Sequence, residues 1–157
     1  MYEEAIRVPM IWNHPGRIKP GQTLDPMISS YDYFPTILDY CGVKAPQDKK
    51  RVGRSYAGLL NGERRNWRNR LYFEYSNVRA VRTENLKLVM RTKEFESEMF
   101  DLEADPSESR SVFNDPKYAG QRAALQKDLE GWFAQNGAPP LEEWRTTVRQ
   151  HLTGYSN

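Results

Sequence analysis

The stretch at residues 71–91 constrains the fold of this chain more than any other part of it. It holds three runs rich in aromatic and β-branched residues, at 71–75, 78–83 and 86–90, which short polar breaks separate. Such runs are typical of β-strands, and the two-residue link between the second and third runs fits a tight hairpin. The pattern therefore predicts three consecutive antiparallel strands, with the type of turn left open.

The third run predicts how the sheet is oriented. In an extended strand Leu86, Leu88 and Met90 share one face, whereas Lys87 and Arg91 share the other. An apolar face opposite a face of cations indicates a sheet with one buried side and one side in water. The buried side needs a cover from elsewhere in the chain.

A long helix near the C-terminus is the expected cover. Asp115 followed by Pro116 is typical of a helix start, and Gly137 is typical of a helix end. Between them, apolar residues recur at helical spacing, namely Tyr118, Leu125, Leu129, Trp132 and Phe133. A fourth short strand is predicted at residues 98–102, ahead of an acidic turn.

The first part of the chain shows a different pattern. Residues 8–12 form an apolar run that does not alternate, which is typical of a strand buried on both faces in a parallel sheet. Residues 30–42 predict a helix that Asp32 caps and Gly42 ends, and residues 54–61 predict a shorter one. The apolar face of the first helix, which makes Cys41 a core residue, consists of Phe34, Ile37, Leu38 and Cys41.

Composition excludes several classes of function. The 157 residues carry a net charge of +2, so no overall field points to nucleic acid or to a membrane. The single cysteine, Cys41, excludes an internal disulfide, and His14 has no second ligand at metal-binding spacing. No run is long enough for a transmembrane helix, and residues 1–7 lack the features of a signal peptide. We expect a soluble chain whose compartment the sequence does not define.

Charge is unevenly distributed along the chain. Residues 49–70 contain one acid, Glu63, and eight basic residues, which are Lys49, Lys50, Arg51, Arg54, Arg64, Arg65, Arg68 and Arg70. A solvated loop region is the simpler interpretation, and a surface that binds an anion, such as a sulfated glycan or a nucleic acid, is the alternative. We expect no nucleic-acid partner, because the aromatic residues lie in predicted core strands and give no stacking platform among the charges.

Five short segments stand in an order and spacing that one family shares. They are residues 2–11 (YEEAIRVPMI), 14–18 (HPGRI), 30–39 (SYDYFPTILD), 79–88 (RAVRTENLKL) and 99–108, with its MFDL, Asp-Pro and Glu108. Together they resemble the C-terminal third of a sulfatase of the alkaline-phosphatase superfamily, over about residues 1–136. Ser111 departs from the pattern, since the family usually has Asn there.

The resemblance implies an α+β fragment of an α/β sulfatase fold. Residues 1–68 would contribute the last strand and helix of the α/β domain. Residues 69–137 would form a small antiparallel subdomain of about four strands covered by a C-terminal helix, and residues 138–157 would form a tail. In this tail Trp144, Val148 and Leu152 are spaced as in a marginal docking helix, although disorder is an equal alternative.

The resemblance also implies a chemistry, the hydrolysis of sulfate esters. The family uses a formylglycine, made from Cys or Ser in a Cys/Ser-x-Pro-x-Arg motif, over a divalent cation that is usually Ca²⁺. Cys41 does not match that motif, because Gly42, Val43 and Lys44 follow it. We expect the nucleophile, the metal ligands and a catalytic Lys before Met1, and hence a fragment, a truncated gene model or a split product that is inactive alone.

Three residues are candidates for contacts with a sulfated small molecule or glycan. In the family, loops of the C-terminal subdomain help to form the rim of the substrate pocket, and Glu74, Asn77 and Arg79 lie at the corresponding strand ends. A solvent-exposed strand end without a binding role is an equal alternative. The resemblance gives Arg7 a structural role, in an ion pair with a carboxylate.

Two further readings remain open. The chain could be an anion-binding module that uses the Arg-rich residues 49–70, or a non-functional remnant that persists because its subdomain folds. Without its sheet, the apolar strand at residues 8–12 would have an unpaired edge, which predicts self-association or poor solubility of this chain.

Overall fold

The computed structural model describes residues 1–44, 52–63 and 67–143. The chain divides into two compact units, one formed by Val8–Leu71 and the other by Met1–Arg7 together with the chain from Tyr72 onward. Among the described helices, none has the length and apolar character needed to cross a bilayer. The limits at residues 68 and 137, predicted from the sequence, stay predictions.

Four consecutive strands form one sheet in the order β1-β2-β3-β4. The last two pairings are antiparallel, with Ala80 opposite Val89 and Leu88 opposite Met99. The four strands predicted from the alternation are therefore confirmed to within a residue or so at each end. Their bounds are β1 (Arg70–Tyr75), β2 (Val78–Thr83), β3 (Leu86–Arg91) and β4 (Glu98–Asp101).

The helices also lie where the sequence predicts them. The long C-terminal helix begins with one turn of 3₁₀-helix at Pro116–Tyr118, where the Asp115 carboxylate accepts from the backbone N–H of Lys117 at 2.9 Å. Gly42 and Gly137 take φ values of +70° and +78°, as helix-ending glycines do. The α-helices are α1 (Glu3–Ile6), α2 (Ser30–Tyr40), α3 (Ala57–Leu60) and α4 (Ala119–Gln135).

One face of the sheet is buried under α4, as predicted. The Trp132 ring stacks on the Tyr72 ring, with centroids 4.5 Å apart and an interplanar angle of 12°. Each fully buried apolar side chain contributes roughly 1.5–3 kcal/mol before conformational entropy is counted. The buried members of this core are Tyr72, Val81, Leu88, Met99, Leu125, Leu129 and Phe133.

The opposite face of the sheet is buried too, which corrects the prediction of a side in water. A second core cluster lies at the centre of this face, and the partly buried Met1 and Phe73 pack against it. The Tyr2 ring lies 6.0 Å from the Phe100 ring on this side. The cluster consists of Val78, Ala80, Val89, Phe100 and Leu102. Residues 1–7 thus contribute a cover that the pattern of β3 alone does not indicate.

Lys87, predicted to face water, is 0% exposed at the centre of an ionic cluster. Its Nζ forms an ion pair with Glu108 and lies 3.2 Å from Glu3 Oε1. Glu3 also pairs with Arg82 at 3.2 Å, and its backbone N–H donates to Glu108 Oε2 at 2.6 Å. Two cations and two carboxylates therefore balance in charge beneath the sheet.

This balance explains how the sheet tolerates buried charge. Moving an ion out of water carries a penalty of several kcal/mol, which only close and well-bonded partners offset. Glu108 reaches its partners from a left-handed backbone, with φ +56°, a conformation that is uncommon outside glycine. The ionic cluster of Glu3, Arg82, Lys87 and Glu108 thus ties the N-terminal segment to the sheet.

In the other unit, α2 packs through polar groups. Asp32 accepts from the backbone N–H of Ser29 and of Arg54, each at 2.8 Å. Thr36 Oγ1 accepts from the backbone N–H of Tyr56 at 3.1 Å. A Cβ at Gly53 would run into the carbonyl oxygen of Tyr31, so a glycine is required at this approach. Asp32 and Thr36 are accordingly the buried residues of α2.

Two predictions for this unit are wrong in detail. Residues 8–12 form no strand, because no described segment pairs with them, and Val8 and Ile11 are 75% and 86% exposed. Cys41, predicted as a core residue, is exposed, because it follows the last residue of α2 and lies beyond the half-buried Ile37 and Leu38 of the same face. The core of the unit is instead formed by Tyr56, Leu59 and Leu60, with Trp12 and Trp67 packed against them.

The ionic cluster makes Lys87 a critical residue for stability. Lys87→Met should lower the free energy of unfolding by about 3–5 kcal/mol, because Glu108 would stay buried without its cation. Urea denaturation at pH 7 measures the loss. The double variant Lys87→Met, Glu108→Gln should recover part of it, and a loss in the single variant below about 1 kcal/mol would contradict the pairing.

The same cluster predicts a pH dependence through Glu3. Burial raises the pKa of this carboxyl, but hydrogen bonds and charge from Arg82 and Lys87 outweigh burial, so the pKa lies below its ordinary value. A lowered pKa stabilises the fold above the unfolded-state pKa of about 4.3 and loses that effect as the pH falls further. Glu3→Gln should therefore be less stable than the parent at pH 7, with the gap narrowing below about pH 4. Parallel denaturation curves at both pH values test this, and a gap that is independent of pH would contradict it.

Candidate functional site

The three candidate substrate contacts surround the turn between β1 and β2. Glu74 lies near the end of β1, Asn77 lies in the turn, and Arg79 is the second residue of β2. Ser76 takes a left-handed φ of +53°, which lets the chain reverse here. The carbonyl of Asn77 accepts from the backbone N–H of Thr92 at 3.2 Å. The turn is therefore fixed to the end of β3.

Arg79 is buried and held by three groups. Its Nε donates to Glu74 Oε1 at 2.6 Å, and its NH1 donates to the carbonyl of Pro139 at 2.7 Å. Its guanidinium also lies 4.1 Å from the centre of the Phe133 ring. These contacts hold the turn against the end of α4. Glu74 is exposed and Asn77 is half-buried, so these two present polar groups to solvent.

The remaining residues singled out from the sequence are dispersed. Nδ1 of His14 lies 2.7 Å from the Tyr40 hydroxyl. The Arg17 guanidinium lies 5.9 Å from the centre of the Tyr40 ring. Arg7 is exposed and forms no ion pair with a carboxylate of the described residues. Its nearest acid in the helical turn, Glu3, pairs with Arg82 and Lys87 instead.

The Arg-rich segment is described only in part. Five of its eight basic residues, and Trp144, Val148 and Leu152 of the predicted tail helix, lie outside the described residues. The guanidinium of Arg54 lies 4.3 Å from the centre of the Trp67 ring, and its NH2 donates to the carbonyl of Arg68 at 3.0 Å. Arg54 thus contributes to local packing.

The catalytic groups that the resemblance implies do not fit the residues described here. Within residues 1–44, 52–63 and 67–143, no group of three or more His, Cys, Asp or Glu side chains is arranged to hold a metal ion. Cys41 is free and exposed, outside any formylglycine motif. The described part of the chain therefore contains neither a cluster of metal ligands nor the motif of the nucleophile.

The architecture defines the class of protein. A four-stranded antiparallel sheet under a C-terminal helix is the C-terminal subdomain of sulfatases with the alkaline-phosphatase-like fold, and solved structures of that fold match it. Residues 1–135 also match the family model of the N-sulphoglucosamine sulphohydrolase C-terminal domain. The chain belongs to this sulfatase family, and both the predicted resemblance and the predicted fold class are confirmed.

Individual relatives agree with this assignment. An N-acetylglucosamine-6-O-sulfatase from Bacteroides thetaiotaomicron is 33% identical over 83% of this chain and 25% of the relative. A structure solved with its substrate D-glucosamine-2-N,6-O-disulfate is 30% identical, with a TM-score of 0.60 over 71% of this chain and 25% of that one. A phosphonate monoester hydrolase from Silicibacter pomeroyi is 26% identical, with a TM-score of 0.68 over 79% and 28%. The chain spans about a quarter to a third of the length of the curated relatives that it matches.

Proposed function

We propose that this chain is the C-terminal part of an enzyme that hydrolyses sulfate esters on a glycan. The family match over residues 1–135 is the observation that carries the proposal. The Bacteroides relative is named for a sulfate on an amino sugar, and a solved relative binds a glucosamine disulfate, which favours a glycan as the substrate.

Within that enzyme, the chain would contribute part of the rim of the substrate pocket. Glu74 and Asn77 are suited to bind hydroxyl, amide or amine groups of a sugar, since a carboxylate accepts hydrogen bonds and a side-chain amide both accepts and donates them. A carboxylate repels a sulfate group, so Glu74 would contact a part of the substrate away from the ester. Arg79 would act as a positioning residue, because its bond at 2.6 Å fixes the Glu74 carboxylate.

The reacting groups would come from elsewhere in a longer protein. Charge that develops on the sulfate and on the leaving oxygen requires cationic stabilisation, which Ca²⁺ would supply beside a formylglycine nucleophile. The described residues present no such site. The isolated chain would therefore contribute contacts to the substrate but would not catalyse the reaction.

A second candidate is phosphonate monoester hydrolysis. It is favoured by the structural likeness to the phosphonate monoester hydrolase, whose TM-score of 0.68 exceeds that of the glucosamine-disulfate complex. The stronger sequence relationship is to the sulfatase, at 33% identity, so sulfate esters remain the first proposal. The module and remnant readings would gain support only if no longer reading frame exists.

Activity should follow the longer protein. The purified chain with Ca²⁺ should not hydrolyse an aryl sulfate above the blank, whereas the protein encoded by the frame extended upstream of Met1 should. Turnover by the chain alone would contradict the proposal, and so would a stop codon directly upstream of Met1. A preference of the longer protein for a phenyl phosphonate over the sulfate would establish the second candidate instead.

Residue roles can be tested in the same longer protein. Glu74→Gln and Asn77→Ala should lower kcat/KM for a sulfated amino sugar by about tenfold each, the equivalent of one lost hydrogen bond of about 1.4 kcal/mol. Both variants should leave a small aryl sulfate unaffected, because it lacks the sugar groups. Equal losses on both substrates would indicate a structural role.

We also propose that the isolated chain self-associates through its apolar N-terminal stretch. Val8, Met10 and Ile11 are all exposed, and they form a continuous apolar strip without a strand partner among the described residues. Light scattering should show species larger than a monomer, and the variant Val8→Ser, Ile11→Ser should reduce them. Tyr75→Ser, which removes an exposed apolar residue elsewhere, is the matched control. A monomer at high concentration would contradict the proposal.

A further inference from the structure

An open cleft of about 620 Å³ lies where β3 passes into β4. Its lining combines two exposed aromatic rings with charged and amide side chains. The cleft occupies the same end of the sheet as the turn between β1 and β2, because Arg91 pairs with Val78 across the strands. The lining residues that carry the argument are Tyr2, Arg91, Phe95, Glu96, Glu98, Arg110 and Asn114.

Part of the lining is rigidly organised. Arg91 pairs with Glu98 Oε2 at 2.6 Å, and the Tyr2 hydroxyl donates to Glu98 Oε1 at 3.1 Å. The Ser97 hydroxyl accepts from the backbone N–H of Arg91 at 3.0 Å. The hydrogen bond that the Tyr2 hydroxyl donates to Glu98 raises the pKa of Tyr2 above its ordinary value. Both oxygens of Glu98 are thus occupied and its charge is matched by Arg91.

The other part of the lining is open to a ligand. Phe95 is 54% exposed, although a phenyl ring has no polar group that favours contact with water. Glu96, Arg110 and Asn114 are exposed, and their side chains have no hydrogen-bond partner among the described residues. One cation and one carboxylate are therefore free in addition to an amide that can donate and accept.

This combination suits a sugar better than an anion. A hexose has an apolar C–H face, which packs on an aromatic ring, and hydroxyl groups at its edge, which bind planar polar side chains. Arg91 is paired with Glu98, and the lining holds three carboxylates, Glu96, Glu98 and Asp115, against two arginines, so the cleft has no excess of positive charge that would select a sulfate.

We propose that this cleft binds one hexose unit of a glycan, with the ring packed on Phe95 and its hydroxyls bonded to Arg110, Asn114 and Glu96. Recognition does not require that this unit carry a sulfate. Successive strands of a sheet are about 4.8 Å apart, so the turn between β1 and β2 lies only roughly 10 Å away along the same end of the sheet. One glycan chain could therefore contact both places.

The choice of a glycan as the ligand rests on the proposed sulfatase function. Binding to the purified chain tests the cleft without any hydrolysis. The probe is an unsulfated, uncharged tetrasaccharide of N-acetylglucosamine, observed by saturation-transfer NMR and titration. The parent chain should transfer saturation to the C–H protons of one ring. Phe95→Ala should weaken binding about three- to tenfold, the equivalent of about 0.65–1.4 kcal/mol, because the ring that packs on the sugar is removed.

A matched variant separates the cleft from general apolar effects. Phe34→Ala removes a Phe of similar exposure, 48%, from α2 and should leave the affinity unchanged. Asn114→Ala should also weaken binding, and circular dichroism verifies that each variant folds. Absence of binding by the parent, or equal binding by the parent and Phe95→Ala, would overturn the proposal.

Two outcomes would assign binding elsewhere. If the tetrasaccharide binds only when sulfated, with an affinity that falls steeply with salt and ignores Phe95→Ala, the ligand contacts the Arg-rich residues 49–70 and the cleft proposal is wrong. Failure of the sulfatase proposal is recognised separately, because it is read from turnover by the longer protein and not from binding to this chain.

Discussion

The unit that contains the sheet depends on the ion pairs of Lys87. A sheet that is covered on both faces normally has apolar residues on both, yet Lys87 is fully buried between the strands and residues 1–7. Its partners come from distant parts of the sequence, since Glu3 precedes it by 84 residues and Glu108 follows β4. Three separate segments are therefore held together by one charge. With an apolar residue at this position, Glu3 and Glu108 would have no cation to bind there.

The same cluster also determines where Tyr2 lies, and hence the shape of the cleft at the end of the sheet. Because Glu3 is bound to Lys87 and Arg82, the preceding residue, Tyr2, is brought over β4, where its hydroxyl meets Glu98. Tyr2 is then one wall of the cleft at the end of the sheet. The position of residues 1–7 therefore has two results. It places Glu3 in the ionic cluster beneath the sheet, and it places Tyr2 in the cleft at the end of the sheet.

Local signals in the sequence predicted the elements well, because strands and helices depend on alternation, turn residues and caps within a few positions. The second buried face could not be predicted in this way. Lys87 and Arg91 alternate with apolar residues as they would on a face in water, and periodicity does not distinguish an exposed Lys from one that is paired. The information lies in Glu3 and Glu108, whose proximity is a property of the fold. The strand predicted at residues 8–12 is absent for a related reason, since a strand needs a neighbouring strand and no described segment pairs with these residues.

For the candidate site, the family resemblance predicted Glu74, Asn77 and Arg79 as substrate contacts, which stays a prediction, and it did not distinguish the roles of the three residues. Glu74, Asn77 and Arg79 are similar as polar residues near strand ends, and the contacts that separate them come from elsewhere in the fold. Arg79 is bound by the carbonyl of Pro139 and lies over Phe133 of α4, so the arginine joins the turn to a rigid helix. The ion pair with Arg79 in turn fixes the position of the Glu74 carboxylate. A carboxylate fixed in this way would lose little further conformational freedom on binding a ligand, and this physical property is what supports the proposed role of Glu74.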